Sequence, residues 1–248
     1  MADTVTDTPS VPATNISNPP QETDKVVAQD QLPSASLQQQ VGEYTVFDRH
    51  GKTLPFKNLY SGPQAATRVL VIFVRHFFCG SCQEFLRSLS ETIRPECLPA
   101  NTSVAVIGCG DPGLIDTYAA ETGCPFNLYA DPSRKLYDDL GMVSSLALGP
   151  RPQYIRKGFA QIVGGSIWQA LKQIPSGLAA KGGESSQNGG EFLFEPSGAT
   201  GEKEITWCHR MQNTRDHTEI STLAHILNGA ESQSGIQSTV GTEERETS

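Results

Sequence analysis

Two cysteines separated by two residues, Cys79 and Cys82, stand in the run Arg75-His76-Phe77-Phe78-Cys79-Gly80-Ser81-Cys82. The thiolate is the reactive form of cysteine, and its population depends on what surrounds the sulfur. A cysteine at the first position of a helix meets unsatisfied N–H groups and the positive end of the helix dipole, which favour the anion. Cys79 is therefore read as the nucleophile. Cys82, one turn further along, faces the same side and suits the resolving role, closing a short disulfide with Cys79. Zinc sites use the same spacing but need a second donor pair. The other cysteines fall at positions 97, 109, 124 and 208, with no second Cys-x-x-Cys and no His-x-x-x-His, so redox chemistry is favoured over a zinc site and over a merely buried pair.

Other residues bear on that sulfur with alternatives open. His76 is a candidate base or cationic neighbour of the thiolate, or a side chain that only packs at a strand end. Arg75 offers charge and a fork of donors to a thiolate or a peroxide oxygen, or is simply solvated. Arg151, Arg156 and Arg210 are weaker candidates for the same task, since nothing in the sequence fixes their distance from Cys79. Cys109 ends a strand on the side of an open sheet where ligands bind, but burial as a small hydrophobe is preferred for it, and more so for Cys97, Cys124 and Cys208. His209 and Asp216-His217 flank the last helix, and capping that helix and fastening the loop before it is the preferred reading over a dyad.

The elements that must position the dithiol follow from pattern. Tyr44 to Phe47 and Thr53 to Phe56 read as a hairpin around Asp48 to Lys52. Arg68 to Arg75, β-branched with charged ends, reads as the central strand, buried on both faces. Residues 80 to 94 place Phe85, Leu86, Leu89 and Ile93 at helical spacing. Ser103 to Cys109 is a second buried strand. Asp111-Pro112 opens a helix, Pro125 to Ala130 suits a third strand, and Asp131-Pro132 caps a short helix through Leu140. Phe159 to Ile174 is an amphipathic candidate helix, and the Gly/Ser-rich Lys181 to Gly190 reads as an exposed loop. Glu191 to Glu195 and Glu204 to Cys208 form a plausible antiparallel hairpin, and a final helix spans about Thr218 to Leu227. The order describes an α/β fold, a central mixed sheet flanked by helices in the thioredoxin-like arrangement.

Composition narrows the function classes. Of 248 residues, 37% are hydrophobic and the longest apolar run is Val69 to Val74, far short of the ~20 residues that span a bilayer, so no membrane segment is expected. The net charge of −8 sits mainly in the ends: residues 1–40 carry five acids and one base, residues 229–248 four acids and one base. Both ends have the composition of disordered tails around one domain at 41–228, whose near-neutral charge lacks the basic stripe of a nucleic-acid reader. Met1 to Pro20 has neither the basic start nor the apolar run of a secretory signal, so a cytoplasmic protein with reduced or catalytic thiols is expected.

Several blocks carry a family resemblance together: Val71 to Cys79 with Cys82, Val106-Ile107-Gly108-Cys109-Gly110-Asp111-Pro112, Leu128 to Arg134, Leu136-Tyr137, Leu140-Gly141-Met142, His209-Arg210 and Asp216-His217. Over about residues 41 to 228 the chain resembles the AhpC/TSA antioxidant-domain proteins of the peroxiredoxin-like, AAED-type branch. The resemblance implies a thioredoxin fold and a thiol-based oxidoreductase. Cys79 would attack a peroxide without metal, flavin or other cofactor, Cys82 would resolve the sulfenic acid, and an external dithiol system such as thioredoxin or glutathione would regenerate the pair. Relatives of this branch reduce endoperoxides, which extends the substrate class to bulky organic peroxides. The sequence departs from true peroxiredoxins where they hold threonine and proline, here His76 and Ile72, and it has Gly189-Gly190 where thioredoxins carry a cis-proline. Those departures keep two alternatives open: a redox-sensing or regulatory module without turnover, and thiol–disulfide exchange on a protein or secondary-metabolite pathway partner.

Overall fold

The computed structural model describes residues 28–198 and 201–229. The expected terminal disorder therefore falls mostly outside the described residues, at 1–27 and 230–248. The boundary expected at residue 41 lies inside a helix, α1 (Ala35–Gly42), capped by the Ser34 hydroxyl, which accepts the Leu37 N–H. Residues 28–34 also dock on the domain, because the buried Arg210 guanidinium donates to the Ala28 and Gln31 carbonyls.

The strands are β1 (Thr45–Phe47), β2 (Thr53–Pro55), β3 (Arg68–Phe73), β4 (Thr102–Gly108), β5 (Asn127–Ala130), β6 (Gly190–Pro196) and β7 (Lys203–Arg210). They form one sheet in the order β2-β1-β5-β4-β3-β6-β7. β3, β4 and β5 are parallel, whereas β6 lies antiparallel to β3 and β7 antiparallel to β6. The strand read as central, β3, is interior, and β4 holds the middle place. Val69 through Phe73 are all buried, as a strand covered on both faces requires.

Alternation along the strands builds two apolar layers. Leu70, Ile72, Val104, Val106 and Leu193 face a layer that also holds Phe85, Leu86 and Leu89 of α2 (Gly80–Thr92), Tyr118 of α3 (Ile115–Thr122) and Leu223 of α6 (Ile220–Leu227). Val69, Val71, Phe73, Phe192 and Phe194 face the opposite layer, with Val41, Phe56, Tyr60 and residues of α4 (Lys135–Asp139). A β3-α2-β4 unit beside the antiparallel β6-β7 hairpin, with the closing helix α6 on the same face as α2, is the thioredoxin-like fold. Among the described residues no helix is long and apolar enough to cross a membrane.

Local details refine the sequence reading. Asp131 does cap α4, but from four residues before its start: its carboxylate accepts the Leu136 N–H at 3.0 Å. The Gly189-Gly190 pair marks a close approach of two backbones. A Cβ on Gly189 would lie 1.8 Å from the Phe73 carbonyl oxygen, so only glycine permits β6 to enter beside β3. The segment 181–190 is exposed only in part: residues 181 and 183–185 are exposed, whereas Gly182 and residues 187–190 are buried.

The amphipathic helix forms as α5 (Phe159–Lys172), but it buries only Ile162 and leaves Phe159, Val163, Ile167, Trp168 and Leu171 exposed.

Candidate active site

β3 carries the chain to Phe73, and a short connection delivers Cys79 to the N-cap of α2. There the Cys79 Sγ accepts the Cys82 N–H at 3.3 Å, one of the donors that every helix start leaves without an intrahelical partner. The Arg75 Nη1 lies 3.4 Å from the same sulfur. Arg75 is only 6% exposed and is aimed by two backbone carbonyls: its Nε donates to Gln187 O at 3.1 Å and its Nη2 to Ser185 O. No ion pair among the described residues gives this guanidinium a carboxylate. A buried cation needs a counter-charge, and the group it faces is the Cys79 sulfur.

The consequences for the two thiols are opposite. Burial alone would push the Cys79 thiol up, but the hydrogen bond from the Cys82 thiol, the Arg75 guanidinium, His76 and the Cys82 N–H together hold it well below the usual thiol range. Burial raises Cys82 well above that range, and the neighbouring Cys79 sulfur raises it further. His76 is partly buried, and its imidazole makes no hydrogen bond among the described residues, although its carbonyl accepts the Cys79 N–H at 2.9 Å. Burial lowers its pKa, the Cys79 sulfur raises it and Arg75 lowers it. With the imidazole held toward its neutral form, the permanent cation beside Cys79 is Arg75.

Two segments close over the motif. On one side α5 packs directly on Gly80: a Cβ there would stand 2.5 Å from Ile162 Cγ2 and 3.0 Å from the Ile162 carbonyl. On the other side the Phe77 N–H donates to Gly182 O at 2.9 Å, and a Cβ on Gly182 would meet the Phe78 ring at 2.2 Å. Glycines at 80 and 182 thus permit the cover that leaves Cys79 only 4% exposed. The polar composition of 181–190 hid this role, because its carbonyls are satisfied by a buried arginine rather than by water.

Cys82 faces a group that the sequence reading assigned to capping. His217 Nε2 lies 3.5 Å from Cys82 Sγ, and its Nδ1 lies 2.5 Å from Glu191 Oε1. The second Glu191 oxygen accepts from the Thr218 hydroxyl at 3.1 Å, and the imidazole stacks on Phe85 with ring centres 4.1 Å apart. Both side chains are fully buried. The capping assignment for His217 is thereby corrected, since a 188–191 strand entry and the approach to α6 bring together residues far apart in sequence. His209 does fasten the loop, contacting the Asp216 carbonyl at 2.6 Å. The Tyr118 hydroxyl, also unforeseen, is buried within electrostatic reach of both sulfurs and has no hydrogen-bond partner among the described residues.

The remaining candidates serve elsewhere. Cys109 donates to the Arg75 carbonyl at 2.8 Å, and burial pushes its thiol up to about 12. Burial likewise raises Cys124 to about 11. Cys97 is exposed, contrary to the expected burial, because it lies in the short 3-10 turn after α2. Arg151 donates to the Ile155 carbonyl, Arg156 pairs with Glu91, and Arg210 holds Leu140 O and the 28–31 segment. None of their hydrogen bonds or ion pairs reaches Cys79. Among the described residues no group of three or more His, Cys, Asp or Glu side chains is placed to hold a metal ion.

A thioredoxin-like sheet with a dithiol at the N-terminus of the helix after β3 defines a class, the thiol oxidoreductases of this fold. The sequence profile of the AhpC/TSA antioxidant enzymes matches residues 86–213, just over half of the chain, and the chain belongs to that family. The matched region begins after the Cys79 and Cys82 pair. Peroxiredoxin-like 2C of Takifugu rubripes is 28% identical over 230 residues, covering 91% of each chain. Peroxiredoxin-like 2C of Homo sapiens is 28% identical over 189 residues, covering 75% of this chain and 78% of that protein. Among solved structures, a peroxiredoxin-like protein from Aquifex aeolicus is similar over 75% of this chain and 82% of its own, with 10% identity and a TM-score of 0.46.

Proposed function

We propose that the protein reduces peroxides through Cys79 and Cys82, with an external dithiol as electron donor. The observation that supports this most is the buried Arg75 guanidinium, which faces the Cys79 sulfur at a helix N-terminus and has no carboxylate partner among the described residues. The Cys79 thiolate attacks one oxygen of the peroxide, the O–O bond breaks, and the distal oxygen leaves as alkoxide or hydroxide and takes a proton. Arg75 stabilises the charge that moves from sulfur to oxygen. The resulting Cys79 sulfenic acid condenses with Cys82 to a disulfide and water, and a dithiol of the thioredoxin or glutathione type returns both thiols. His76 acts as a neighbour of modest effect. The cytoplasm, with its reducing thiol pools, is the compartment that this cycle fits.

The cover over Cys79 shapes the substrate class. With 4% of the residue exposed, hydrogen peroxide enters with little displacement, whereas a bulky organic peroxide or endoperoxide requires α5 or the 181–190 segment to move. The same occlusion favours a second reading, a sensor that is oxidised without turnover. Stopped-flow reaction of the reduced protein with a panel of peroxides, followed by peptide mapping, tests both. A Cys79–Cys82 disulfide that recycles with thioredoxin or glutathione supports the peroxidase, one oxidation without recycling supports the sensor, and a Cys79 that no peroxide oxidises ends the proposal.

A further inference from the structure

The peroxide cycle leaves unexplained why an acid and a histidine, both fully buried, are stacked against the wall of Cys82. A carboxylate in an apolar layer costs free energy unless its hydrogen bonds are met, and among the described residues Glu191 meets them with His217 and Thr218. The strand pattern places Glu191 on the same face as Leu193, toward α2, where period-two alternation would otherwise supply a hydrophobe. The imidazole is fixed on every side. Phe85 of α2 stacks beneath it at an interplanar angle of 9°, its own backbone N–H donates to the Tyr154 hydroxyl at 3.2 Å, and Glu191 holds Nδ1. A carboxylate at Nδ1 selects the tautomer with the proton there, which leaves the Nε2 lone pair directed at Cys82 Sγ.

We infer that Glu191, His217 and Cys82 form a proton relay that activates the resolving thiol, with His217 as a catalytic base and Glu191 as its positioning residue. The inference rests on the dithiol reading above and assigns the proton that reading leaves unplaced. In the reduced protein the single S–H of Cys82 has two acceptors, the Cys79 thiolate and His217 Nε2. Once Cys79 is a sulfenic acid, the first acceptor is gone and the proton moves to Nε2. The Cys82 sulfur then gives its electron pair to the Cys79 sulfur, the S–S bond forms, the S–O bond breaks, and the departing hydroxide takes the proton from His217 as water. In the reductive half, the thiolate of a dithiol donor attacks the Cys79 sulfur and Cys82 leaves as thiolate; the donor's second thiol gives up its proton, which reaches Cys82 through His217, and its thiolate then attacks the mixed disulfide and releases Cys79 as thiolate. The relay answers a specific difficulty. Burial and the neighbouring Cys79 sulfur hold the Cys82 thiol far above the range in which it would ionise unaided.

The titratable groups facing this cluster are few. Cys79 and Arg75 lie on the helix-start side, Tyr118 on α3 and Tyr154 on the chain before α5, while Tyr137 of α4 reaches Cys82 electrostatically from the other face of the sheet, and the three phenols are all raised by burial. Burial thus keeps the three phenols from acting as competing bases.

The test uses 2,2′-dithiodipyridine on the full chain carrying Cys97→Ser, because Cys97 is exposed and would add its own reaction. Attack by Cys79 releases a first pyridinethione and leaves a mixed disulfide; attack by Cys82 on that disulfide releases the second. In His217→Gln the first release should stay within about threefold, which also reports an intact fold, while the second slows by the roughly 10²- to 10⁴-fold typical of a lost general base. Glu191→Gln should slow the second release less. Both variants should shift its pH profile upward, toward the raised range of the Cys82 thiol. Second releases within threefold of the parent in both variants would overturn the relay. Should either variant lose the first release, the parent decides alone: a second phase that inflects well below the raised Cys82 range supports the relay, and one that climbs only in the alkaline range overturns it. Hydrogen peroxide added in place of the disulfide separates the two claims. Sulfenic acid that accumulates in His217→Gln, trapped by dimedone, supports both. A Cys79 untouched by peroxide, with the two thione phases behaving as expected, removes the peroxidase reading and sustains the relay.

Discussion

Cys79 and Cys82 share one helical turn and equal burial, yet their surroundings differ in kind. Around Cys79 stand donors: the Cys82 N–H, the Cys82 thiol and the Arg75 guanidinium. Cys82 has an acceptor, the His217 ring backed by a carboxylate, and an apolar wall that includes Phe85. Desolvation penalises both thiolates; the donors around Cys79 outweigh it there, while at Cys82 the neighbouring Cys79 sulfur adds to it. The pair is thus built asymmetrically, an anion ready to attack beside a proton holder whose proton needs a way out. What the comparison teaches is that the motif supplies the sulfurs while residues on other elements decide which one reacts first.

Arg75 is the change expected to disturb that asymmetry most. Arg75→Met removes the lasting cation from the Cys79 side and also releases the Ser185 and Gln187 carbonyls. The inflection of iodoacetamide alkylation against pH should move up toward that of a free thiol, and peroxide reduction at neutral pH should slow by about 10²- to 10³-fold, the usual loss for one charge-stabilising donor. Arg75→Lys keeps the charge without the fork and should fall between. An unmoved inflection in Arg75→Met would assign the lowered pKa to the helix terminus alone.

The sequence showed one side of this comparison much better than the other. Cys79, Cys82 and Arg75 lie within eight residues at a strand-to-helix junction, where a β-branched run and helical spacing mark the geometry locally. Glu191 and His217 lie on β6 and just before α6, and only the completed sheet brings them to Cys82. An acid opening a strand reads as a solvated edge, and a histidine before a helix reads as a cap, so no local signal separated these two from their bland equivalents. The cover was hidden for a related reason. Glycines at 182 and 183 look like flexibility in a sequence, whereas here they allow close approach to Phe78 and Cys109.

Stability against pH sharpens the contrast from the remaining sulfurs. Cys109 and Cys124 are raised to about 12 and about 11 from an ordinary 9.0, so the folded state keeps protons that the unfolded chain would release. Their contribution is fully present below about pH 9 and is lost as pH rises toward 12. Cys79 has the opposite sign: its lowered value stabilises the fold above the ordinary thiol range, and that contribution fades as pH falls through its folded pKa. Urea midpoints of the reduced protein should therefore decline from pH 9 upward, and Cys124→Ala should flatten part of the decline. A decline unchanged by that substitution would place its origin in other buried groups.

The cover offers a smaller effect. An alanine at Gly80 cannot be absorbed by a rotamer change alone, because its Cβ would stand 3.0 Å from the Ile162 carbonyl as well as against the Ile162 and Ser166 side chains. α5 must shift, and it buries only Ile162, so the shift costs little core. Gly80→Ala should raise the alkylation rate of Cys79 at saturating thiolate by several-fold, and the gain should be larger for bulky peroxides than for hydrogen peroxide. A variant that alkylates no faster, with its fold intact, would show that the 181–190 segment and not α5 limits access.

His76 should matter least, although it is three residues from the sulfur. A general acid or base at that place would be worth roughly 10²- to 10⁴-fold in rate. Its imidazole makes no hydrogen bond among the described residues and is held toward neutrality by burial, so it offers Cys79 neither a fixed donor nor a lasting charge. Arg75 already fills the role, with its guanidinium aimed by two carbonyls. His76→Ala should then change the rate of Cys79 oxidation by less than about threefold across several peroxides, and His76→Thr should gain little, since a threonine hydroxyl adds one weak donor to a sulfur already served by a cation. A loss of two orders of magnitude in His76→Ala, with the Arg75→Met inflection unmoved, would exchange the two residues and make the imidazole the activator of Cys79.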